Sequence, residues 1–291
     1  MSSELHTIQA KKTSLYLRED SVLYRTLHNK SIIAGVVILS IILLLGVFTP
    51  KLTPYQPHET NTVNKLKAPS TEHPFGTDEF GRDIFCRMLY GIRVTIPYSV
   101  YSLAIAIITG IPIGLLAGYF KKLDNALMRL VDILMAFPGM LLAIVIVATL
   151  GQGLGNVTIA VGLGTMPAYA RLVRSSVLSL KEQPFVEASI AAGAKSGRII
   201  VNHILPNLTS TIVVYSMLEM AWVIMSISTL SFLGIGAQAP IPEWGALVSS
   251  GKNYILSAPH ISTFPMIFIF ATVTAFNLLG DGLRDVLDPR M

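Results

Sequence analysis

Charged residues are scarce in this chain of 291 residues: they make up 13%, whereas hydrophobic residues make up 52%. A soluble domain usually carries about 25% charged residues, so water is excluded as the solvent for most of the surface. The single cysteine, Cys86, excludes an intrachain disulfide and a Cys-rich metal site. The basic residues are scattered, without a stripe of interleaved aromatics, which argues against a nucleic-acid partner. The composition predicts a protein embedded in a lipid bilayer.

Nucleotide-binding and catalytic motifs are also missing. Gly151 to Gly155 resembles part of a dinucleotide loop, but it joins two apolar runs and follows no strand. Residues up to Gly251-Lys252 resemble the end of a phosphate-binding loop, but they do not match its motif, because Ala246 stands where the first glycine is needed. The six histidines are dispersed and none belongs to a recognisable nucleophile motif. We therefore expect no catalytic residues, no bound metal and no cofactor on this chain.

Six apolar runs follow one another along the chain, each about 17 to 25 residues long and so able to cross a bilayer. Backbone amides in hydrocarbon must satisfy their own hydrogen bonds, which predicts helices, and the alternation of a barrel is missing. Gly162, Gly164 and Pro167 break the fourth run, which indicates a bundle around a pathway. The predicted fold is an all-α membrane bundle with six transmembrane helices at 31–49, 96–120, 130–150, 157–173, 211–233 and 261–279.

The distribution of Lys and Arg predicts the orientation. Segments on the side of the N-terminus carry about twice as many as those on the other side, which places both termini in the cytoplasm. The run 31–49 lacks a cleavage site and is expected to stay as an anchor. The predicted organisation is a cytoplasmic tail 1–30, an anchor 31–49, an extracytoplasmic segment 50–95, a transmembrane domain 96–282 with an internal loop 174–210, and a cytoplasmic tail 283–291.

The extracytoplasmic segment contains apolar residues at helical spacing, which predicts an interfacial helix leading into the second run. These residues are Phe80, Ile84, Phe85, Met88 and Leu89. Asp78 and Asp83 lie among them without a third ligand for a metal ion. With Arg82 and Arg87 nearby, we predict that these charges fix a turn and the start of a helix.

The internal loop predicts a short helix with a small-residue flank. Pro184 can open a helix at its first turn, Ala188, Ala191 and Ala192 keep one flank small, and Gly193 can end the helix. Two interpretations stay open on the residues alone: a helix held by another protein, or an amphipathic connector lying on the membrane surface.

A motif in this loop points to a family. Glu187-Ala188-Ser189, three residues, Gly193, nine residues, and then His203 to Pro206 resemble the EAA loop of ABC importer permeases. Ser189 stands where a third alanine is usual and His203 where isoleucine is usual. The resemblance implies a coupling helix that docks in a groove of an ATP-binding subunit. The residues that it implicates are Pro184, Glu187, Ala188, Ala191, Ala192, Gly193, Ala194, Leu205 and Pro206.

Further stretches are similar to the C-type permease of the dipeptide, oligopeptide and nickel branch, which also handles glutathione. They are residues 73–83, 129–138, 231–238, 242–245 and 275–284. The resemblance implies a MetI-like, type I importer fold in the bacterial inner membrane. It further implies a second permease subunit, two ATP-binding subunits that carry ATP and Mg, and an extracytoplasmic solute-binding protein. Di- or oligopeptides, glutathione, nickel or metal chelates are the implied solutes, imported at the expense of ATP hydrolysis on the partners.

Glu219 is an isolated acid within the fifth run. Such a residue costs at least about 2.5 kcal/mol on insertion scales and normally faces protein or water. It either lines the substrate path, where it would meet a peptide amine or a cation, or pairs with a neighbouring subunit. An alternative function follows from the first interpretation: a self-sufficient ion-coupled carrier or channel that uses Glu219.

Overall fold

The computed structural model describes residues 22–287, and this part of the chain folds into helices without any strand. Short turns and one longer segment, residues 53–83, connect the helices. The helices are α1 (Val22–His28), α2 (Lys30–Leu52), α3 (Ile84–Tyr119), α4 (Lys121–Met135), α5 (Gly139–Leu150), α6 (Leu154–Lys181), α7 (Pro184–Ala191), α8 (Ser196–Ile199), α9 (Leu205–Phe232), α10 (Trp244–Gly251) and α11 (His260–Leu287). The prediction of an all-α fold is confirmed.

Side-chain caps explain where several helices begin. The side chain of Asn29 accepts a hydrogen bond from the Ile32 amide at 3.1 Å and caps α2. A carboxylate oxygen of Asp83 accepts from the Cys86 amide at 2.6 Å and caps α3. Each cap satisfies one of the amides that a helix leaves without an intrahelical partner at its first turn. The caps therefore fix the entry of the chain into its first two long helices.

Four helical segments of the described chain are long and apolar enough to cross a membrane, and a bent pair makes five if it counts as one crossing. The four are α2, α3, the continuous stretch Ser196–Phe232 and α11; the bent pair is α4 with α5. Helix α6 has 28 residues, about 42 Å at 1.5 Å per residue, so its length would also suffice. A multi-spanning bundle is thus confirmed, and the count of six stays a prediction.

The glycine contacts between α3 and α6 define their relative direction. Gly110 faces Tyr169, Gly114 faces Val173 and Gly118 faces Val177. The contacts advance in the same sense along both helices, so α3 and α6 run parallel. The chain must therefore return between them, and α4 with α5 forms that returning path. A Cβ on Gly114 would lie 2.5 Å from the carbonyl oxygen of Ala170, so only glycine permits this approach.

The third and the fourth apolar runs differ from continuous and broken helices, respectively. The third run, 130–150, is not one helix, because α4 ends at Met135 and α5 leaves it at an angle of 91°. Pro138 causes the break, since it has no amide hydrogen and disfavours helical geometry in the preceding residue. The fourth run is not broken: α6 continues through its glycines and proline. A Cβ on Gly162 would lie 2.6 Å from the Ser102 carbonyl oxygen, so this glycine serves close packing.

The helix directions define two ends of the bundle. Gly282 of α11 contacts Ile32 at the start of α2, and Gly280 contacts Leu218 of the antiparallel α9. The beginning of α2, the last turns of α11 and the short helix α7 therefore lie at one end, which we call the loop end. Residues 53–83 and α10 lie at the other, which we call the segment end. The assignment of these ends to the two sides of a membrane stays a prediction.

The segment end differs from its prediction in one respect. The apolar residues from Ile84 onward belong to the first turns of α3, which continues unbroken into the second run, and Phe80 lies outside any helix. No separate interfacial helix is present between residues 76 and 91. Met88, Leu89 and Ile92 are instead buried in a core cluster with Trp244 of α10. This region is packed protein interior, because residues 53–83 and α10 cover it.

Candidate functional site

The short helix α7 begins at a proline and ends just before a glycine, and these two residues explain its bounds. Pro184 occupies the first turn, where its missing amide hydrogen costs nothing. After Ala191 the backbone reverses: the Gly193 amide donates to the Ile190 carbonyl at 2.9 Å, and the Ala194 amide donates to the Ser189 carbonyl at 3.1 Å. Gly193 has a φ of +79°, a left-handed conformation that favours glycine. The predicted short helix is therefore present where Pro184 and Gly193 placed it.

One side chain fastens α7 to the bundle. Val186 is fully buried, and its neighbours form a core cluster contributed by α6, α8 and α9. The buried members of this cluster are Val173, Val177, Val186, Ile199, Ile204 and Leu208, and Ala194 packs against them. Burying a valine side chain contributes about 1.5–3 kcal/mol. Helix α7 is thus attached by a single apolar knob to helices that enter the membrane.

The remaining faces of α7 are open. Of the nine residues that the motif implicated, Ala194 and Leu205 are half-buried. The other seven are exposed: Pro184, Glu187, Ala188, Ala191, Ala192, Gly193 and Pro206. Larger apolar side chains of α7 and the following turn are exposed too, with Phe185 40%, Ile190 54% and Val201 59% exposed. The Glu187 carboxylate has no ion-pair partner within residues 22–287. The structure therefore brings these residues together as an uncovered small-residue and apolar surface at the loop end.

A π turn joins α8 to α9. It spans Ile200–Ile204 and is closed by the Leu205 amide, which donates to the Ile200 carbonyl. Pro206 accounts for it, because proline has no amide hydrogen to continue the ordinary helical pattern and its ring crowds the carbonyl four residues earlier. The side-chain amide of Asn207 donates to the His203 carbonyl at 2.6 Å. The turn is thus accommodated inside one helical rod from Ser196 to Phe232.

Ion pairs brace the end of α6, from which α7 departs. Arg174 binds Asp124 of α4 through two hydrogen bonds of 2.5 and 2.7 Å, and Arg171 pairs with Asp132 at 2.6 Å. Lys181 donates to the Tyr119 carbonyl at the end of α3, at 2.9 Å. The sequence analysis missed these partners because they lie tens of residues apart. The braces make the last turns of α6 a fixed base for α7.

Glu219 lies half-buried in α9, one turn after Tyr215 on the same helix. The Tyr215 ring packs edge-on against Tyr169 with centroids 5.0 Å apart, and the Tyr169 hydroxyl is 2.9 Å from the Ser216 hydroxyl. No basic residue of the described chain forms an ion pair with Glu219. Its two sequence interpretations, substrate path or intersubunit pair, stay predictions.

Asp78, Arg82, Asp83 and His73 of the segment end interact with one another or with backbone amides of that segment. One Asp78 oxygen accepts from the Phe80 and Arg82 amides at 2.9 and 3.0 Å, and the other pairs with the Arg82 guanidinium at 2.6 Å. The second oxygen of Asp83 lies 2.9 Å from His73 Nδ1. The prediction of a charge-fixed turn and helix start is confirmed. Burial raises the pKa of the neighbouring Glu79 above its ordinary value.

Glu243 is a fully buried acid that the sequence analysis passed over inside the stretch 242–245. It caps α10 by accepting from the Ala246 amide at 2.9 Å, and it accepts from the Ser228 hydroxyl of α9 at 3.1 Å. The Thr95 hydroxyl of α3 is 3.5 Å away. Burial raises the pKa of Glu243. Three helices therefore meet on one carboxyl group.

Two family models match this chain. The model described as the binding-protein-dependent transport system inner membrane component matches residues 110–291. The model described as the N-terminal TM domain of oligopeptide transport permease C matches residues 20–69. The first match covers more than half of the chain, including α6 to α11 and the α7 loop.

Characterised relatives cover most of the chain. The dipeptide transport system permease protein DppC of Alkalihalophilus pseudofirmus is 47% identical over 264 residues, which are 90% of this chain and 87% of the relative. The glutathione transport system permease protein GsiD of Pectobacterium atrosepticum is 42% identical over 263 residues, with the same coverage. The resemblance inferred from the motifs is confirmed.

Among solved structures, the chain is similar to the MetNI methionine ABC transporter in an inward-facing conformation. The TM-score is 0.57 at 20% sequence identity, and the match covers 69% of this chain and 96% of that one. At this identity the likeness concerns the fold alone. The MetI-like fold that the sequence predicted is confirmed.

Proposed function

The chain belongs to the family of binding-protein-dependent transport system inner membrane components, and we propose that α7 is the helix through which ATP-driven movement reaches its transmembrane bundle. The chain is a permease subunit of an ABC importer and a multi-pass protein of the inner membrane. We further propose which residues of this chain transmit the ATP-driven movement and which partner subunits they contact.

The observation that carries the proposal is the contrast between the two sides of α7. Val186 is buried in the cluster with Ile199 and Ile204, while Glu187 and the small residues around it are exposed. A short helix held to its own bundle by one knob has most of its surface free for another protein. Small side chains allow a close approach of backbones, and Glu187 offers an unpaired charge to a basic partner.

The force would pass along a continuous path of packed atoms. A partner that moves α7 displaces Val186, and Val186 presses on Ile199 and Ile204 at the start of the rod Ser196–Phe232. Because packed interiors transmit strain rather than absorb it, the rod tilts with α7. The braces on Arg171, Arg174 and Lys181 hold the neighbouring end of α6, so the movement concentrates in the rod.

The partners follow from this assignment. Two ATP-binding subunits, which carry ATP and Mg, grip α7 and its counterpart in a second homologous permease subunit. An extracytoplasmic solute-binding protein delivers the solute at the segment end. The loop end then faces the cytoplasm together with both termini, as the distribution of Lys and Arg predicts.

The solute of this importer is a di- or oligopeptide or glutathione. The relatives named for dipeptide and glutathione transport, at 47% and 42% identity, support this class. Nickel and metal chelates, which the resemblance also implied, stay a sequence prediction.

The proposal is tested by reversing the charge of Glu187 in the assembled transporter. Glu187→Lys should abolish co-purification of the ATP-binding subunits, or uncouple their ATP hydrolysis from peptide uptake, while membrane insertion is unchanged. Glu72→Lys is the matched control, because Glu72 is also exposed but lies at the segment end. Size-exclusion chromatography of the tagged chain checks that both variants fold.

Two results would contradict the proposal. One is a Glu187→Lys transporter that retains its ATP-binding subunits and full ATP-dependent uptake. The other is solute flux in liposomes that contain this chain alone, which would instead support the ion-coupled carrier with Glu219.

A further inference from the structure

A cleft of about 460 Å³ opens between α6, α9 and α11 near the loop end. Its volume lies within the range of about 300–1,000 Å³ that is typical of small-molecule sites. The residues that line it come from all three helices: Leu172, Ser210, Thr211, Val214, Tyr215, Leu218, Arg284 and Leu287. None of them belongs to α7 or to its apolar cluster, so the cleft is separate from the coupling surface.

The lining is divided into a polar and an apolar part. Ser210, Thr211 and Arg284 are exposed, whereas Val214 and Leu218 are half-buried. Leu218 contacts Gly280 and α9 is antiparallel to α11, so Arg284 lies about one helical turn, or ~6 Å, closer to the loop end than Leu218 does. The guanidinium and the two hydroxyls therefore lie closer to the loop end than Leu218 does.

Arg284 carries a charge that no acid of the described chain neutralises. Arg171 and Arg174, on the adjacent α6, pair with Asp132 and Asp124. Asp281 and Asp285 flank Arg284 on α11, but neither forms an ion pair with it. A guanidinium presents a planar fork of donors that suits carboxylates and phosphates.

We propose that this cleft binds the acid group of an amphiphile, with Arg284, Ser210 and Thr211 holding the carboxylate or phosphate and the Leu218 side holding an apolar chain. Basic pockets between transmembrane helices bind lipid head groups in this way. The same chemistry would hold the terminal carboxylate of an apolar peptide. The peptide source rests on the proposed function, whereas the lipid source does not depend on it.

The test compares wild type with Arg284→Gln in the fully assembled transporter. One arm measures retention of phosphatidylglycerol by native mass spectrometry after detergent exchange. The other measures binding of a radiolabelled apolar dipeptide in nanodiscs of phosphatidylcholine alone. Loss of a charge-assisted contact of this kind should weaken the affected ligand about tenfold to hundredfold. Arg129→Gln is the control, because Arg129 is exposed on α4 and does not line the cleft.

A second variant tests the apolar wall without changing charge. Val214→Trp fills the cleft and should weaken the same ligand as Arg284→Gln does, while retention of the ATP-binding subunits stays normal. A weakened lipid arm identifies a lipid site, and a weakened peptide arm identifies a solute site. The proposal is overturned if wild type binds neither probe, or if Arg284→Gln and Arg129→Gln behave alike in both arms.

Discussion

The buried charges of the segment end and the exposed Glu187 of the loop end differ in how they are compensated. At the segment end, His73, Asp78, Arg82 and Asp83 are each at most 6% exposed, and every one has a partner within the chain. At the loop end, Glu187 is exposed and unpaired beside an open apolar surface. Buried charges must be compensated where they stand, because desolvation costs several kcal/mol per ion. The comparison teaches that the buried charges of the segment end are compensated within the chain, whereas Glu187 is left available for the partner that we propose.

Removal of the Asp78 carboxylate should produce the largest loss of stability, because two buried guanidinium groups at the segment end lose their acidic partner. Asp78→Ala leaves the guanidinium groups of Arg82 and Arg87 buried without their shared acid. Breaking a buried ion pair typically costs about 3–5 kcal/mol. We expect a large drop in the midpoint of thermal unfolding in detergent and a low yield of folded transporter. Asp281→Ala, at an exposed loop-end position, is the control, and an equal drop there would erase the contrast between the ends.

Replacement of Glu243 should have the next largest effect and should separate hydrogen bonding from charge. Glu243→Leu removes the cap of α10 and leaves the Ser228 hydroxyl without its acceptor, at a cost of about 1–3 kcal/mol. Glu243→Gln keeps an acceptor for the Ala246 amide and should cost much less. Unfolding midpoints of both variants in the assembled transporter make this comparison. Equal losses would show that the hydrogen bonds of Glu243 do not hold the three helices together.

Comparison of wild type with Glu243→Gln should also show a pH dependence of the free energy of unfolding. Burial raises the pKa of native Glu243, so the folded state keeps its proton at pH values where the unfolded chain has released it. The stability of wild type relative to Glu243→Gln should therefore fall as the pH rises above about 4.3, the pKa of an unfolded glutamate, and level off above the native pKa. A difference that stays constant or grows in favour of wild type over this window would contradict a raised native pKa.

Substitution of Gly193 should give the smallest change in stability of the three. Gly193→Ala places a side chain at a φ of +79°, which costs about 1–2 kcal/mol, although a Cβ there would meet no atom within 4 Å. The strain should loosen the end of α7 and lower peptide uptake more than ATP hydrolysis. Gly197→Ala is the matched control, because that glycine is equally open but lacks the positive φ. Equal uptake by the two variants would show that the turn at Gly193 is dispensable.

The parts that the sequence predicted well depend on local signals. Proline at the start and glycine after the end defined α7, and long apolar runs located α2, α9 and α11. Each of these features is specified by residues within a few turns of one another. The all-α bundle could be predicted for the same reason, since hydrocarbon leaves the backbone no alternative to helices.

The parts that it missed depend on contacts between distant residues. Apolarity continues across Pro138; the proline indicated an interruption there, but hydropathy did not reveal the angle of the bend between α4 and α5. Gly162 was taken for a helix breaker, whereas it admits the backbone of α3. The partners of Arg174 and Glu243 lie on other helices, and spacing along one chain does not reveal which helices become neighbours.

The length of the rod Ser196–Phe232 determines how a displacement at one of its ends relates to a displacement at the other. Its 37 residues extend about 55 Å, well beyond the ~30 Å of hydrocarbon that surrounds its middle. In the proposed coupling the rod pivots near its middle, so a shift of Ile199 toward one side would move Ser228 toward the other. Ser228 is bonded to the buried acid of α10. Such a pivot would open the bundle at one end while it closes the bundle at the other.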